Sequence, residues 1–356
     1  MAIFKDMLGS GETLFKNPIA LDFDFQPKLV PYREKEQRTV ASCIKPLFQD
    51  RTGRNLFIYG LPGVGKTVAC RHVIQEIEEE TEDVYALYVN CWQKNTTYKI
   101  LLELCDLLDY KFTQNKRTEE LFEIVKNIVN KKAAVFVFDE VDKLGEVDFL
   151  YSILEEIYKK SVILITNEKN WILSLDERLK SRLIAEMLEF MPYNDMETKG
   201  ILKQRLEYAF IPNCWETNSF DLVCKKTFEL KDVRSGLYLL REAANIAEEK
   251  SSRKITLEHV QASIQKLDEF KIKNKEELDN VIQDILQIIK ENSGKKIGDI
   301  YKIYNEKKGK MPYKTFQRKI KKLEQGKFIL AEKLLGGKDG QTTIVKYSQE
   351  KKLTEY

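Results

Sequence analysis

The segment Gly60-Leu-Pro-Gly63-Val-Gly65-Lys66-Thr67 constrains this chain more than any other. It follows a strand-length apolar run, Asn55–Tyr59, and opens a helical pattern, VACRHVIQEIEEE. Glycines let a loop backbone wrap anionic oxygens without Cβ obstruction. The loop N–H groups and the helix N-terminus add positive dipoles, the lysine adds charge, and the threonine hydroxyl can ligate Mg²⁺. Gly60, Pro62, Gly63, Val64, Gly65, Lys66, Thr67 and Val68 are therefore candidate contacts for the phosphates of ATP or ADP, with Thr67 also a metal ligand. A strand, a phosphate loop and a helix in that order commit the N-terminal part to an α/β fold with a parallel sheet.

The periodicity of the following residues agrees. Tyr85–Asn90, Ala133–Phe138 and Val162–Thr166 are short, continuously apolar and separated by helical pattern, as expected of parallel strands covered on both faces; Met187–Phe190 is a weaker fifth. This predicts a nucleotide-binding core over residues 1–191. The next stretch, to residue 270, places apolar residues three and four apart and predicts a small helical domain, the lid. DEFKIKNKEE, residues 268–277, is polar and charged and reads as a linker or a solvated helix join. A third domain, 278–356, holds three helical segments and then two strand-like runs around a Gly-rich turn.

Two acidic residues give the phosphate loop a reaction. Asp139 and Glu140 end the run AAVFVF, where a strand meets the nucleotide crevice. Asp139 can hold the hydrated Mg²⁺ and Glu140 can polarise an attacking water, which favours ATP hydrolysis over phosphoryl transfer to a small molecule. Asn167, at the end of VILIT, is placed to orient that water or sense the γ-phosphate.

Other classes are disfavoured. No apolar stretch approaches the roughly 20 residues of a membrane span, and Lys5 and Asp6 interrupt any signal-peptide core, so a soluble, cytoplasmic protein with no membrane partner is expected. The six cysteines form no CxxC pair and the only histidines are His72 and His259, so no zinc site is legible and free, buried thiols are expected. The net charge of +3 conceals an imbalance. Residues 301–356 hold 15 Lys+Arg against 6 Asp+Glu, a balance of +9, which leaves −6 for residues 1–300.

The basic excess falls on a patterned segment. In PYKTFQRKIKKLEQGKF, Phe316, Ile320 and Leu323 form one apolar stripe, and Lys314, Gln317, Arg318 and Lys321 fall on the opposite side. With a β-hairpin around Gly336-Gly337-Lys338-Asp339-Gly340, this reads as a winged helix: recognition helix in the major groove of duplex DNA, wing and Lys338 on the backbone.

Together, GLPGVGKT, FVFDEVDKL and ILITN resemble an AAA+ ATPase core. Within that superfamily the chain resembles the archaeal origin-recognition initiators, relatives of the eukaryotic origin recognition complex and cell-division-cycle loader. The likeness rests on LFKNPIALDFDFQPKLVPYREKEQ, YVNCWQKNTTYKILLEL, LDERLKSRL, FMPYNDMETKGILKQRLEYAF and KDVRSGLYLLREAANIAEE, and spans essentially the whole chain. The resemblance implies that Arg234 is the lid arginine that reaches the phosphates, with Asp232 the motif's acid; the family usually has Gly where Lys231 stands. It implies that Arg178 is an arginine finger for a neighbour's site, with Arg182 as rival. It places Val30, Pro31, Tyr32 and Arg33 against the adenine, and Tyr193 and Arg205 among the nucleotide contacts. It suggests a second DNA contact at Trp92–Lys99. The implied activity is slow ATP hydrolysis that switches binding to replication-origin DNA at the nucleoid, with a replicative helicase and further initiator copies as partners. Two other classes share these parts: a Holliday-junction branch-migration motor, and a signalling ATPase whose winged helix makes protein contacts.

Overall fold

The computed structural model describes residues 13–325, 328–334 and 342–347, and the chain divides into two compact units between Ser263 and Ile264.

In the first unit, α1 (Glu34–Ile44) precedes β1 (Leu56–Gly60), α2 (Lys66–Glu80) and β2 (Val84–Asn90). α3 (Thr97–Leu107), α4 (Thr118–Val129), β3 (Ala133–Asp139), α5 (Asp148–Glu156), β4 (Lys160–Thr166), α6 (Glu177–Leu183) and β5 (Glu186–Phe190) complete the core. The five strands are parallel in the order β2-β3-β4-β1-β5. β3 shows why its apolar run is unbroken: Ala134, Phe136 and Phe138 enter one core cluster with α3, α4 and α5, while Ala133, Val135 and Val137 enter another with α1 and α2. Alternate residues point to opposite faces, and both faces are covered. Each predicted strand is present with ends shifted by one or two residues, and the weak fifth run is the edge strand β5.

The strand order positions the site. β4 lies between β3 and β1, so the ends of β1, β3 and β4 bring the phosphate loop, Asp139 and Asn167 to one crevice.

Three helices follow: α7 (Asp195–Ala209), α8 (Thr217–Leu230) and α9 (Val233–Glu249). Asn194 and Glu197 close a reciprocal capping box on α7. α8 ends at Lys231 with φ 53° and ψ 30°, the left-handed conformation that glycine adopts most cheaply. The chain therefore makes at Lys231 the turn the glycine would make, and Asp232 caps α9 by accepting from the Arg234 N–H.

α10 (Leu257–Glu291) is one helix of 35 residues that continues into the second unit. Residues 268–277 lie within it, so of the two expectations for this segment the helix join holds and the linker does not. The segment contains neither Gly nor Pro and is rich in Glu and Lys, good helix formers. β6 (Lys295–Lys296), α11 (Ile297–Lys308), α12 (Tyr313–Gln325), β7 (Ile329–Leu334) and β8 (Thr342–Tyr347) complete the unit, with the strands antiparallel in the order β6-β8-β7. Its core gathers Ile285, Ile288, Ile300, Tyr304, Phe316, Ile320, Leu323, Ile329 and Val345. Helix α12 followed by an antiparallel strand pair is a winged-helix arrangement. Lys338 and the Gly-rich turn lie outside the described residues. Among the described residues no helix is long and apolar enough to cross a membrane, and all six cysteines are unpaired and buried.

Candidate nucleotide site

The phosphate loop owes its shape to two left-handed glycines. Gly63 (φ 76°) lies against the Asp232 side chain and Gly65 (φ 86°) against the Tyr193 hydroxyl, so a Cβ at either position would collide with its neighbour as well as strain the backbone. Gly65 is also the N-cap of α2, whose first N–H groups open towards the crevice.

Lys66, only 7% exposed, donates from Nζ to the carbonyls of Gly60 and Leu61 and to Asn167 Oδ1, each at 2.8 Å. Burial pushes its pKa down to about 8 against the opposing charge of Asp139. Asp139 accepts three hydrogen bonds. Its Oδ2 accepts from Thr67 Oγ1 at 2.6 Å and from the Tyr88 hydroxyl at 2.7 Å, and its Oδ1 accepts from the Glu140 N–H at 2.8 Å. Glu140 has left-handed backbone (φ 57°, ψ 43°), and burial, then the Asp139 charge, raises its carboxyl above the usual carboxylate range. Asn167 is held from behind: Thr166 donates to Asp142 Oδ1 at 2.8 Å and accepts from the Glu168 N–H at 2.9 Å.

These groups face a cavity of about 710 Å³, within the size range of small-molecule sites. Gly63, Gly65, Lys66, Thr67, Val68, Asp139, Glu140, Asn167, Tyr193, Arg205 and Arg234 line it, as do Val30 and Pro31. Gly60, Pro62, Val64 and Tyr32 do not. Gly60 contributes its carbonyl to Lys66, and Val64, 1% exposed, packs in the core and gives its carbonyl to Arg33. Tyr32 has φ 64°, which turns its ring out onto α7 beside Gly200.

Arg33 and Arg205 act on the strap formed by the residues before α1. The buried Arg33 guanidinium lies 4.0 Å from the Tyr193 ring centroid and donates to the carbonyls of Val64 and Met191, so it ties strap, phosphate loop and the exit of β5 together. Arg205 reaches from α7 to the carbonyls of Ala20 and Phe25 at 3.2 and 3.3 Å, and its charge is spent on the strap. Arg234 differs. Its side chain is exposed, engages no hydrogen-bond or ion-pair partner among the described residues, and its charge bears on Lys66 and Glu140.

The donor set fits a nucleotide with Mg²⁺. Thr67 Oγ1 and Asp139 Oδ2 are adjacent hard oxygens, and the Lys66 ammonium and Arg234 guanidinium face the same space as the loop amides.

Outside the cavity, Arg178 is exposed and engages no partner with its side chain among the described residues, whereas Arg182 pairs with Glu155 at 2.5 Å. Trp92 is 62% exposed at the cavity wall, and Thr96 caps α3, so Trp92–Lys99 forms a capped turn and a helix start. On α12, Phe316, Ile320 and Leu323 are buried and Lys314, Gln317, Arg318 and Lys321 are exposed.

Comparison with known proteins places the chain. Residues 49–175 match a family described as an AAA domain, and residues 199–265 match the Cdc6 AAA+ ATPase-type lid domain. ORC1-type DNA replication protein 1 of Sulfurisphaera tokodaii is 33% identical over 265 residues, 70% of this chain and 66% of that protein. Its namesake from Archaeoglobus fulgidus is 30% identical over 335 residues, 87% of this chain and 81% of that protein. The chain belongs to the ORC1-type DNA replication proteins. This ORC1-type chain is thus an AAA+ ATPase with a lid, and an ATP-dependent replication initiator by family. The Aeropyrum pernix ORC1 protein, solved in complex with DNA, shares its fold with a TM-score of 0.70 over 95% of this chain and 94% of that one, at 24% identity.

Tyr88, which donates to Asp139 Oδ2, sits on β2 with no sequence signature of its own. Tyr88 is two residues before Asn90 and carries no signal beyond its place on an otherwise apolar strand.

Proposed function

We propose that this ORC1-type chain is a nucleotide-gated binder of replication-origin duplex DNA, with residues 1–191 as core, 192–270 as lid and 278–356 as the DNA-binding module. The observation that supports it best is the convergence of Lys66, Thr67, Asp139, Glu140, Asn167 and Arg234 on one cavity walled by core and lid.

In this reading the loop amides and Lys66 bind the phosphates, Val30 and Pro31 flank the base, and Thr67 and Asp139 hold Mg²⁺. The ion supplies charge neutralisation at the phosphate oxygens. Glu140 orients and polarises a water, Asn167 positions it, and Arg234 carries the phosphate state to the lid. Arg178, without a side-chain partner among the described residues where Arg182 is paired, serves the site of a neighbouring copy. Lys314, Gln317, Arg318 and Lys321 contact DNA, and slow hydrolysis acts as a timer for helicase recruitment at the nucleoid.

The test combines two measurements on the full chain. Lys66→Ala should weaken binding of a fluorescent ATP analogue by about 100-fold, the scale of losing a charged phosphate contact. The wild type should shift duplexes carrying candidate origin repeats at low salt. An unaltered Lys66→Ala affinity would remove the nucleotide half of the reading, and the absence of any shift would remove the DNA half.

A further inference from the structure

Asp139 is held by more than the motif that names it. In the β2–β3 register Tyr88 pairs with Val137, so Asp139, two residues on, points to the same face of the sheet one step towards the crevice. The Tyr88 hydroxyl reaches Asp139 Oδ2 at 2.7 Å, the same oxygen that takes the Thr67 hydroxyl at 2.6 Å. Across the phenol ring lies Arg71, with its guanidinium carbon 4.4 Å from the centroid. Both Tyr88 and Arg71 line the cavity.

A tyrosine that merely needed a partner would find one in any carbonyl. Here the acceptor is the carboxylate oxygen proposed to face the metal, and the arrangement has a consequence for that face. A carboxylate held by a threonine hydroxyl alone turns about its Cβ–Cγ bond. Held on Oδ2 by two hydroxyls and on Oδ1 by the Glu140 N–H, it has one orientation. Ordering the ligand before the cation arrives removes a rotational cost from cation binding. A guanidinium over the ring withdraws electron density from the phenol and makes its O–H the stronger donor.

We propose that Tyr88 is the positioning residue that orients Asp139 for the divalent cation, with Arg71 tuning its hydroxyl. The proposal rests on the reading of Asp139 as a metal ligand, and the experiment separates the two. Full-length protein loaded with ADP is titrated with Mn²⁺, and free ion is counted by electron paramagnetic resonance. Tyr88→Phe keeps the ring and the Arg71 stacking and removes one oxygen. It should weaken Mn²⁺ binding about tenfold, as expected for one hydrogen bond to a charged group, while ADP affinity in EDTA and the melting temperature stay as in the wild type. Asp139→Asn is the reference. If it binds Mn²⁺ as the wild type does, the metal-site reading is wrong. If it is defective while Tyr88→Phe stays within twofold of wild type, the positioning role alone is overturned. Should Tyr88→Phe fail to fold, Arg71→Leu carries the test: a roughly threefold weakening is expected, and unchanged Mn²⁺ affinity overturns the proposal.

Discussion

Lys66 shows how a lysine is tuned by where the fold puts its head. Its ammonium is buried among two carbonyls and one amide oxygen, and burial brings its pKa to about 8. Phosphate oxygens favour the charged form, so nucleotide binding above pH 8 requires the lysine to take up a proton. Affinity for ATP should therefore fall as pH rises, roughly tenfold between pH 7.5 and 9. Lys66→Arg, which keeps its charge, should flatten that slope, and titration of a fluorescent analogue across the range measures both. The same fold assigns neighbouring residues differently. Val30 and Pro31 face the cavity, whereas left-handed backbone swings Tyr32 away and Arg33 is consumed in carbonyl contacts. Gly63, Lys66, Thr67 and Asp139 were legible from spacing because their chemistry is local to a strand end and a helix start. Tyr88 was not, because its role depends on which oxygen of another strand it meets.

Among the elements, α12 was the most legible. A four-and-three spacing of Phe316, Ile320 and Leu323 defines its buried stripe, and the opposite positions are the exposed basic ones. Phe316 is 0% exposed and touches Tyr301 and Tyr304 across the unit's core. Phe316→Ala should destabilise the second unit by about 3–5 kcal/mol, seen as faster hydrogen exchange in α11 and α12 with the exchange of β1–β5 unaltered. Equal loss of protection in the parallel sheet would count against a separate core. For α10 the sequence leaves two readings open. Charge and polarity over residues 268–277 resemble a linker, yet lysine and glutamate suit a solvated helix equally, and composition alone does not choose between them. Lys231 is the opposite case: a residue type unsuited to the left-handed turn is held there by the helices on either side.

At the scale of the whole molecule the charge is divided, with +9 on residues 301–356 and −6 on the rest. DNA affinity should fall steeply with salt, and Arg318→Ala should lower both the affinity and the slope. If the slope of log affinity against log salt is unchanged, Arg318 makes no phosphate contact; if specificity for one duplex is lost as well, it reads a base. The proposed role of Arg178 belongs to this scale because a finger would act on another copy. Arg178→Ala should leave ATP affinity at the wild-type value and lower turnover about 100-fold only where copies assemble. Adding Lys66→Ala protein, which retains Arg178, should restore part of that turnover. Recovery with Arg182→Ala protein lacking Arg178 as well would point to a different donor.

The order of strands and helices, the phosphate loop, the acidic pair and the two-faced basic helix are properties of short stretches of chain. Period, spacing and residue type determine them within a few positions, so the sequence by itself established an α/β nucleotide-binding core joined to a basic winged helix. Tertiary structure decided the rest. The sheet order inserts β4 between β3 and β1, so that Asn167 reaches Lys66, and lays β2 beside β3, so that Tyr88 reaches Asp139. Such contacts join residues 101 and 51 positions apart. They exist because packing selects one arrangement of elements, and no local pattern encodes which side chains that arrangement brings together.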